Sequence, residues 1–427
     1  VIGPGLVSEM RSSGRLNRPL RSVLLVVGIL LIAANLRAPL TAVGPLLHTI
    51  SERFELSGAE AGLLSTLPLL AFAFVSPVAP QIGRRLGLER TLLVAMVVLA
   101  AGIALRSLFS SAALFVGTLM LFVSTLILSA AIAVANVLLP AIVRQRFPTR
   151  VSLLTGFYAT TMGLVAALSS GVAVPMAAAT PAGWRLALGC WSGLALLGAV
   201  VWLPKLRRSS IASRTQHGDR IPWRSPLAWY VTAFMGLQSF GYYVVITWLP
   251  SLLESRGSNP ENAGWLLFTL QLVSVATALV LPLVIGRMAG QRVAACASSL
   301  CCGLGYAGLI LAPGLAVVWT VVAGIGGGGC FVLALSFLGL RANSAGQAAA
   351  LSAMAQSVGY LIAAVGPFLF GLLHDATGSW TLSSVALFAS AVIMSVAALG
   401  AGRPVQVEVS GTRPPEDPAP AVNNAGG

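Results

Sequence analysis

The sequence predicts an all-α membrane protein whose twelve transmembrane helices form two six-helix pseudo-repeats. Three observations carry that expectation: an apolar composition, twelve hydrophobic runs of spanning length, and short strings that recur at a near-constant offset. The 427 residues are 57% hydrophobic and 9% charged. A soluble globular chain carries roughly 25% charged residues, so most of this surface must face lipid.

A helix needs ~20 mostly apolar residues to cross a bilayer. Runs of that length fall at 22–50, 59–82, 91–109, 113–143, 151–175, 184–204, 227–251, 263–286, 293–312, 315–340, 348–372 and 381–401. The first follows a basic stretch (Arg11, Arg15, Arg18, Arg21). It is too long for a signal-peptide core and reads as a retained helix. The ninth and tenth runs are separated by little more than Pro313-Gly314.

Charge sets the expected orientation, because short cytoplasmic loops retain Lys and Arg. With the N-terminus inside, twenty-one basic residues fall on the cytoplasmic side and four (Arg53, Arg106, Arg185, Arg256) on the other. The net charge of +14 is scattered between apolar runs and forms no stripe, which argues against nucleic acid as a partner. The resulting division is a cytoplasmic N-tail at 1–21 and a six-helix half at 22–204, then a basic cytoplasmic loop at 205–226. A second six-helix half follows at 227–401, and a disordered cytoplasmic tail rich in Pro, Gly and Ala at 402–427. Both termini are expected in the cytoplasm, in a multi-pass protein of a bacterial inner membrane. Its partners would be the lipid bilayer, a small-molecule solute and a coupling proton, and the chain is expected to be monomeric.

The halves repeat. Helix two begins at Ala61-Gly62 and ends at Pro80-Gln-Ile-Gly83-Arg84; helix eight begins at Ala263-Gly264 and ends at Pro282-Leu-Val-Ile-Gly286-Arg287. Helices five and eleven agree at an offset of 196, pairing Gly163 with Gly359, Ala167 with Ala363 and Trp184 with Trp380. Two halves of one topology are the parallel-repeat architecture of major facilitator transporters, which suits rocking about a midplane site.

Several strings resemble one branch of that superfamily, the cyanate/2-nitroimidazole (CynX/NimT) transporters. They are Asn35-Leu-Arg-Ala-Pro-Leu-Thr-Ala-Val-Gly-Pro45, Asn136-Val-Leu-Leu-Pro140, Gly236-Leu-Gln-Ser239 with Trp248-Leu-Pro250, and His374-Asp-Ala-Thr-Gly-Ser-Trp380. The resemblance runs from about Leu31 to Trp380 and implies the major facilitator fold, with helix seven lining the cavity. The loop Pro80-Gln-Ile-Gly-Arg-Arg-Leu-Gly-Leu-Glu-Arg90 is similar to the superfamily's gating loop, which would give Arg84, Arg85, Glu89 and Arg90 a gating role. The family pattern usually has an aspartate ahead of its basic residues. Here that stretch reads Gly83-Arg84-Arg85, which leaves Glu89 as the acidic residue and the interhelical ion pair an open question.

Arg37 is the most informative residue. At 1.5 Å per residue it lies roughly 24 Å from Arg21 and roughly 22 Å from Glu52, near mid-membrane. A central arginine costs about 2.5–3.5 kcal/mol on insertion scales, so it must face a cavity or a partner. All twelve acidic residues lie in tails, loops or helix ends, so none is placed to neutralise it. A cation without a protein counterion in a transport cavity is a site for an anionic or electron-rich solute. Alternatively, Asn35, Thr41, Asn136 and backbone carbonyls satisfy it structurally. Pro39 and Pro45 invite a kink or unwinding beside it.

A string recurs as Gln238-Ser-Phe-Gly-Tyr242 and Gln356-Ser-Val-Gly-Tyr360. Gln and Tyr at i,i+4 share a helix face, where they bind a small polar solute or join neighbouring helices. Substrate-binding candidates are therefore Arg37, Asn35, Thr41, Asn136, Gln238, Tyr242, Gln356 and Tyr360, with Tyr243, Trp248 and Gln271 weaker. The five cysteines lie in apolar segments without zinc-like spacing, and no metal or cofactor is expected. Gly324-Ile-Gly-Gly-Gly-Gly329 sits inside an apolar helix, which fits close packing or a flexible point and not a dinucleotide turn. No nucleophile–base pair suggests an enzyme. The expected function is secondary transport of a compact anion or nitro-type compound, cyanate-like or nitroimidazole-like, by alternating access. The alternative is multidrug-type efflux of lipophilic compounds with Arg37 structural.

Overall fold

The computed structural model describes residues 23–108, 114–204, 221–285, 288 and 290–407. The basic N-tail, most of the Lys205–Arg224 loop, Arg287 and the tail beyond Val407 lie outside the described residues. Twelve long helical spans fill the rest: α1 Val23–Phe54, α2 Gly58–Val75, α3 Leu88–Leu108, α4 Leu114–Arg146, α5 Val151–Ala178 and α6 Trp184–Trp202. The second half holds α7 Pro226–Glu254, α8 Pro260–Ile285, α9 Arg292–Leu311, α10 Ala316–Leu340, α11 Ala345–Thr377 and α12 Trp380–Ala401.

Eleven of these are long and apolar enough to cross a membrane. The exception is α7, equally long but interrupted by Gln238, Ser239, Tyr242, Tyr243 and Thr247. Those side chains face protein rather than lipid, so the helix can afford them. Two neighbouring helix ends are finished by local chemistry. Ser57 and Glu60 form a reciprocal capping box at the start of α2, and Gly378, in the left-handed region at φ 62°, ends α11.

Two of the expected helices are broken. The run 22–50 is helical to Asn35, turns at Leu36 and Arg37, resumes for one turn at Ala38–Thr41, passes through a 3₁₀ turn at Gly44–Leu46 and continues over Leu47–Phe54. Pro39 and Pro45 lack the N–H that would bond the preceding turn. Thr41 O, left without its donor by Pro45, accepts from Ser170 Oγ at 3.2 Å; Pro39 O, left free because Val43 N–H bonds Leu40 O, accepts from Arg106 Nη2 at 3.0 Å. The run 59–82 ends early at Val75, and a separate short helix, Ala79–Leu86, lies after it with Pro80 in its first turn.

Across the two halves, α2 packs on α11 and α5 on α8, while α7 reaches the 3₁₀ turn of α1. One side of the bundle carries exposed Arg84, Arg85, Arg90, Arg144, Arg150 and Arg292 and is called the basic side below; the far side carries the turns near 55–57, 179–183 and 255–259. Arg106, assigned from sequence to the outer side of helix three, is not a surface residue there: it is buried against α1. Residues 402–407, the described part of the expected tail, run on from α12. Val407 is fully buried, its N–H bonding Arg341 O and its carbonyl accepting from Gln347 Nε2. The glycine-rich stretch of α10 stays helical and packs on its neighbours: a Cβ on Gly324 would lie 2.8 Å from the Leu270 carbonyl of α8.

Candidate functional site

The break in α1 leaves Arg37 outside helical geometry, at φ −128° and ψ −32°, and its side chain lines a cavity of about 240 Å³ between the halves. The walls come from α5 on one side and from α7, α8 and α10 on the other. They are chiefly apolar, with Gln238, Tyr242, Gln271 and Ser274 as polar points. The cavity runs from Arg37 toward the basic side, since Thr155 and Gly156 open α5 while Leu279 and Leu335 approach the ends of α8 and α10.

The Arg37 guanidinium lies 4.7 Å from the centroid of the Tyr242 ring and 5.5 Å from that of Phe331. Among the described residues none of the ion pairs includes it. Each aromatic face contributes ~0.5–2 kcal/mol, more when water is excluded. Two faces are therefore comparable with the ~2.5–3.5 kcal/mol that a central arginine costs. The aromatic clamp can hold the charge without a carboxylate, which leaves it available to a solute.

The sequence candidates separate in space. Gln238 and Tyr242 line the cavity with Arg37, as does Gln271. Asn35 is turned away: its Nδ2 donates to Leu31 O at 2.8 Å and Leu194 O at 3.3 Å, tying α1 to α6. Thr41 is committed to α5, with Oγ1 3.0 Å from Ala166 O and 2.7 Å from Ser169 Oγ. Asn136 is half-buried on α4 and is not among the residues lining the cavity. Gln356 donates to Ser352 Oγ on its own helix at 2.8 Å. Tyr360 packs edge-on against Phe72 of α2 at 5.4 Å and lies within electrostatic range of Arg37. Trp248 belongs to an aromatic cluster with Phe370 and Trp380. Tyr243 faces a separate small void beside Arg106.

In the loop after α2, Arg84, Arg85 and Arg90 are exposed, while Glu89 is buried and paired with Arg146 of α4. Trp202 Nε1 donates to the Glu89 carbonyl at 3.0 Å. An interhelical pair thus forms within the first half despite the missing aspartate.

The far side is closed. Gly44 meets the carbonyl of Ile246 and Gly62 that of Pro367 so closely that a side chain at either position would collide with backbone. Thr66 Oγ1 donates to Ala364 O at 2.8 Å, and Ser65 and Thr247 share a bond of 2.6 Å. The Asp375 carboxylate accepts from the N–H groups of Gly58 and Ala59 at 2.9 and 2.8 Å, capping α2 from the other half. Gln271 Nε2 donates to Ser170 Oγ at 2.7 Å, extending the Ser170–Thr41 link across the halves.

The description "Major Facilitator Superfamily" is matched by residues 25–364. The chain belongs to the Major Facilitator Superfamily. Within that superfamily it is 45% identical over 389 residues to the 2-nitroimidazole transporter of Escherichia coli, covering 90% of this chain and 97% of that one. It is 26% identical to the cyanate transport protein CynX of the same organism, over 83% of this chain and 91% of the relative. It therefore falls in the cyanate/2-nitroimidazole branch of the superfamily. A crystal structure of a D-xylose-proton symporter superposes with a TM-score of 0.71 at 16% identity, covering 91% of this chain and 98% of that one, a likeness of fold. As a superfamily member this protein is a multi-pass secondary transporter, not an enzyme, and moves a small solute by alternating access.

Phe331, beside Arg37 in the site, and Arg106, outside it, are not among the sequence-predicted candidates. Phe331 gave no signal beyond its place after the glycine run. Arg106 did give one, because it lies inside the apolar run 91–109, where an arginine carries the same cost as Arg37.

Proposed function

We propose that the transported solute is a small, compact anion or a planar nitro compound, held by the Arg37 guanidinium with Gln238 and Tyr242 beside it. The observation that carries this reading is a mid-membrane arginine clamped by two aromatic rings, lining a cavity, with no carboxylate paired to it among the described residues. A guanidinium offers a planar fork of donors that matches two oxygens of a nitro group or an oxyanion. The apolar walls suit a heterocyclic ring behind such a group. The 2-nitroimidazole and cyanate transporters among its relatives agree with both halves of that description.

In this reading the basic side is cytoplasmic, both termini and the 205–226 loop lie there, and the membrane is a bacterial inner membrane. The structure then corresponds to an inward-facing state. The chain works as a monomer, with a proton as the coupling ion.

Arg37→Ala should abolish uptake in proteoliposomes, and Arg37→Lys should leave a small part of it, both at near-normal membrane levels. Loss of one charge-assisted contact of ~1.5–3 kcal/mol weakens binding about ten- to a hundredfold. Cyanate and planar nitro-heterocycles should compete in the wild type, and bulky lipophilic cations should not. Full activity in Arg37→Ala, with competition only by lipophilic cations, would overturn the reading in favour of multidrug-type efflux.

A further inference from the structure

A second arginine inside the membrane domain has no role in the cavity. Arg106, in the last turn of α3, is 3% exposed. One guanidinium nitrogen donates to Pro39 O at 3.0 Å, while Nε is buried without a partner. None of the ion pairs among the described residues includes it. A buried charge is retained where it is paired or hydrogen-bonded, and one carbonyl satisfies only part of a group with five donors.

The surroundings say what else Arg106 can meet. It lines a small void on the far side of Arg37, with Leu40, Val43, Ser65 and Pro68 of the first half and Tyr243 and Ile246 of the second. The cover from the second half therefore comes from α7 alone. Tyr243 is packed against Tyr242 at 5.2 Å between ring centroids, and Tyr242 lies over Arg37. Two cations with no ion pair among the described residues thus flank one tyrosine pair, one opening toward the basic side and one covered on the far side. The covering contacts, Gly44 against Ile246 and Ser65 with Thr247, are contacts between the halves. They are the contacts that alternating access must break when the far side opens.

We propose that Arg106 is a second anion-binding site, exposed when α7 parts from α1 and α2 on the far side. It takes a small planar anion of the class that Arg37 takes and delivers it past the tyrosine pair. This rests on the anion reading of the cavity for the identity of the cargo. The site itself can be tested without transport.

The test is mixed-disulfide modification of the Ser65→Cys variant, with sulfinate as the leaving group, in reconstituted protein whose five native cysteines are replaced by alanine. Two membrane-impermeant thiosulfonates, one anionic and one cationic, are applied from the far side, with nitrate as the anion probe. With Arg106 present, the anionic reagent should react about tenfold faster relative to the cationic one than in Arg106→Gln, as a nearby unit charge requires. Nitrate should slow the anionic reagent severalfold, while gluconate at equal ionic strength should not, which separates binding from screening. Arg106→Lys keeps the charge and a donor for Pro39, and should hold the rate ratio within about threefold of wild type. If Arg106→Gln does not fold, the nitrate effect and the Lys variant still decide. A rate ratio indifferent to Arg106, no effect of nitrate, or an introduced thiol that neither reagent reaches would each make Arg106 only a donor to the Pro39 carbonyl. Arg37→Ala, run in parallel, keeps the two readings apart. Nitrate protection together with uptake that ignores Arg37 would retain this site and remove the proposed role of Arg37.

Discussion

The interface between the halves is built differently at its two ends. On the far side it is backbone against backbone: Gly44 under Ile246, Gly62 against Pro367, and the Asp375 carboxylate seated on the first N–H groups of α2. Toward the basic side another inter-half pair, α5 and α8, diverges. A Cβ at Gly163 of α5 would collide with Val275 of α8, yet two turns nearer the basic side Gly156 has open space around it. Both ends are lined by small residues. What differs is whether the small residue is needed. At the far side its absence of a side chain is what allows contact, whereas at the basic side the space is filled by the cavity. A repeated scaffold therefore acquires direction from contacts a few residues long, and those contacts are where the state of the transporter can be shifted.

The contrast makes its largest prediction at Gly62. Gly62→Leu puts a side chain where the Pro367 carbonyl lies, and overpacking of this kind typically costs ~1–3 kcal/mol or more. The far side should then stay open, with uptake reduced at least about tenfold and, in the Ser65→Cys background, faster thiol modification from that side. Unchanged uptake would mean that far-side closure does not depend on this approach. Asp375→Asn should act in the same direction but less. It keeps acceptor geometry and loses the charge at a helix N-terminus, a contribution of ~0.3–1 kcal/mol at a partly exposed site. The modification rate of the same introduced thiol should rise about two- to fivefold. A fall would show that Asp375 opposes closure.

The smallest contrast lies in the repeated string. Gln238→Ala and Tyr242→Phe should each raise the half-saturation concentration for uptake about fivefold, in keeping with the loss of one neutral hydrogen bond. Gln356→Ala, whose side chain bonds its own helix at Ser352, should stay within about twofold. Equal effects at both strings would show that α11 also meets the solute.

The helix count, the halves and Arg37 were legible because they depend on composition and depth, which a linear sequence carries. The twofold string was legible as a pattern but not as a role. Identical spacing in α7 and α11 leads to different neighbours, since α11 is packed along α2 and α7 faces α5 across the cavity. Asn35 and Thr41 look like ligands on either side of Arg37. Yet the broken helix points them at α6 and α5, and no sequence periodicity survives a break. Arg106, expected on the outer side, is buried because the broken α1 leaves the Pro39 carbonyl without a helical donor, and the guanidinium turns inward to meet it. The ion pair of Glu89 needed a partner 57 residues away in Arg146, a separation that local pattern does not encode.

The docking of Val407 on the turn between α10 and α11 has a use in measurement. Its hydrogen bonds go to Arg341 and Gln347, and those of Arg341 go to Ala401 and Gln291, all in the second half. A fluorophore placed at exposed Gln406, beside the buried Val407, would therefore ride with that half. An acceptor dye on the exposed face of the short helix Ala79–Leu86 would ride with the first. Energy transfer between them would then follow the rocking of the two halves directly, molecule by molecule and without any solute present.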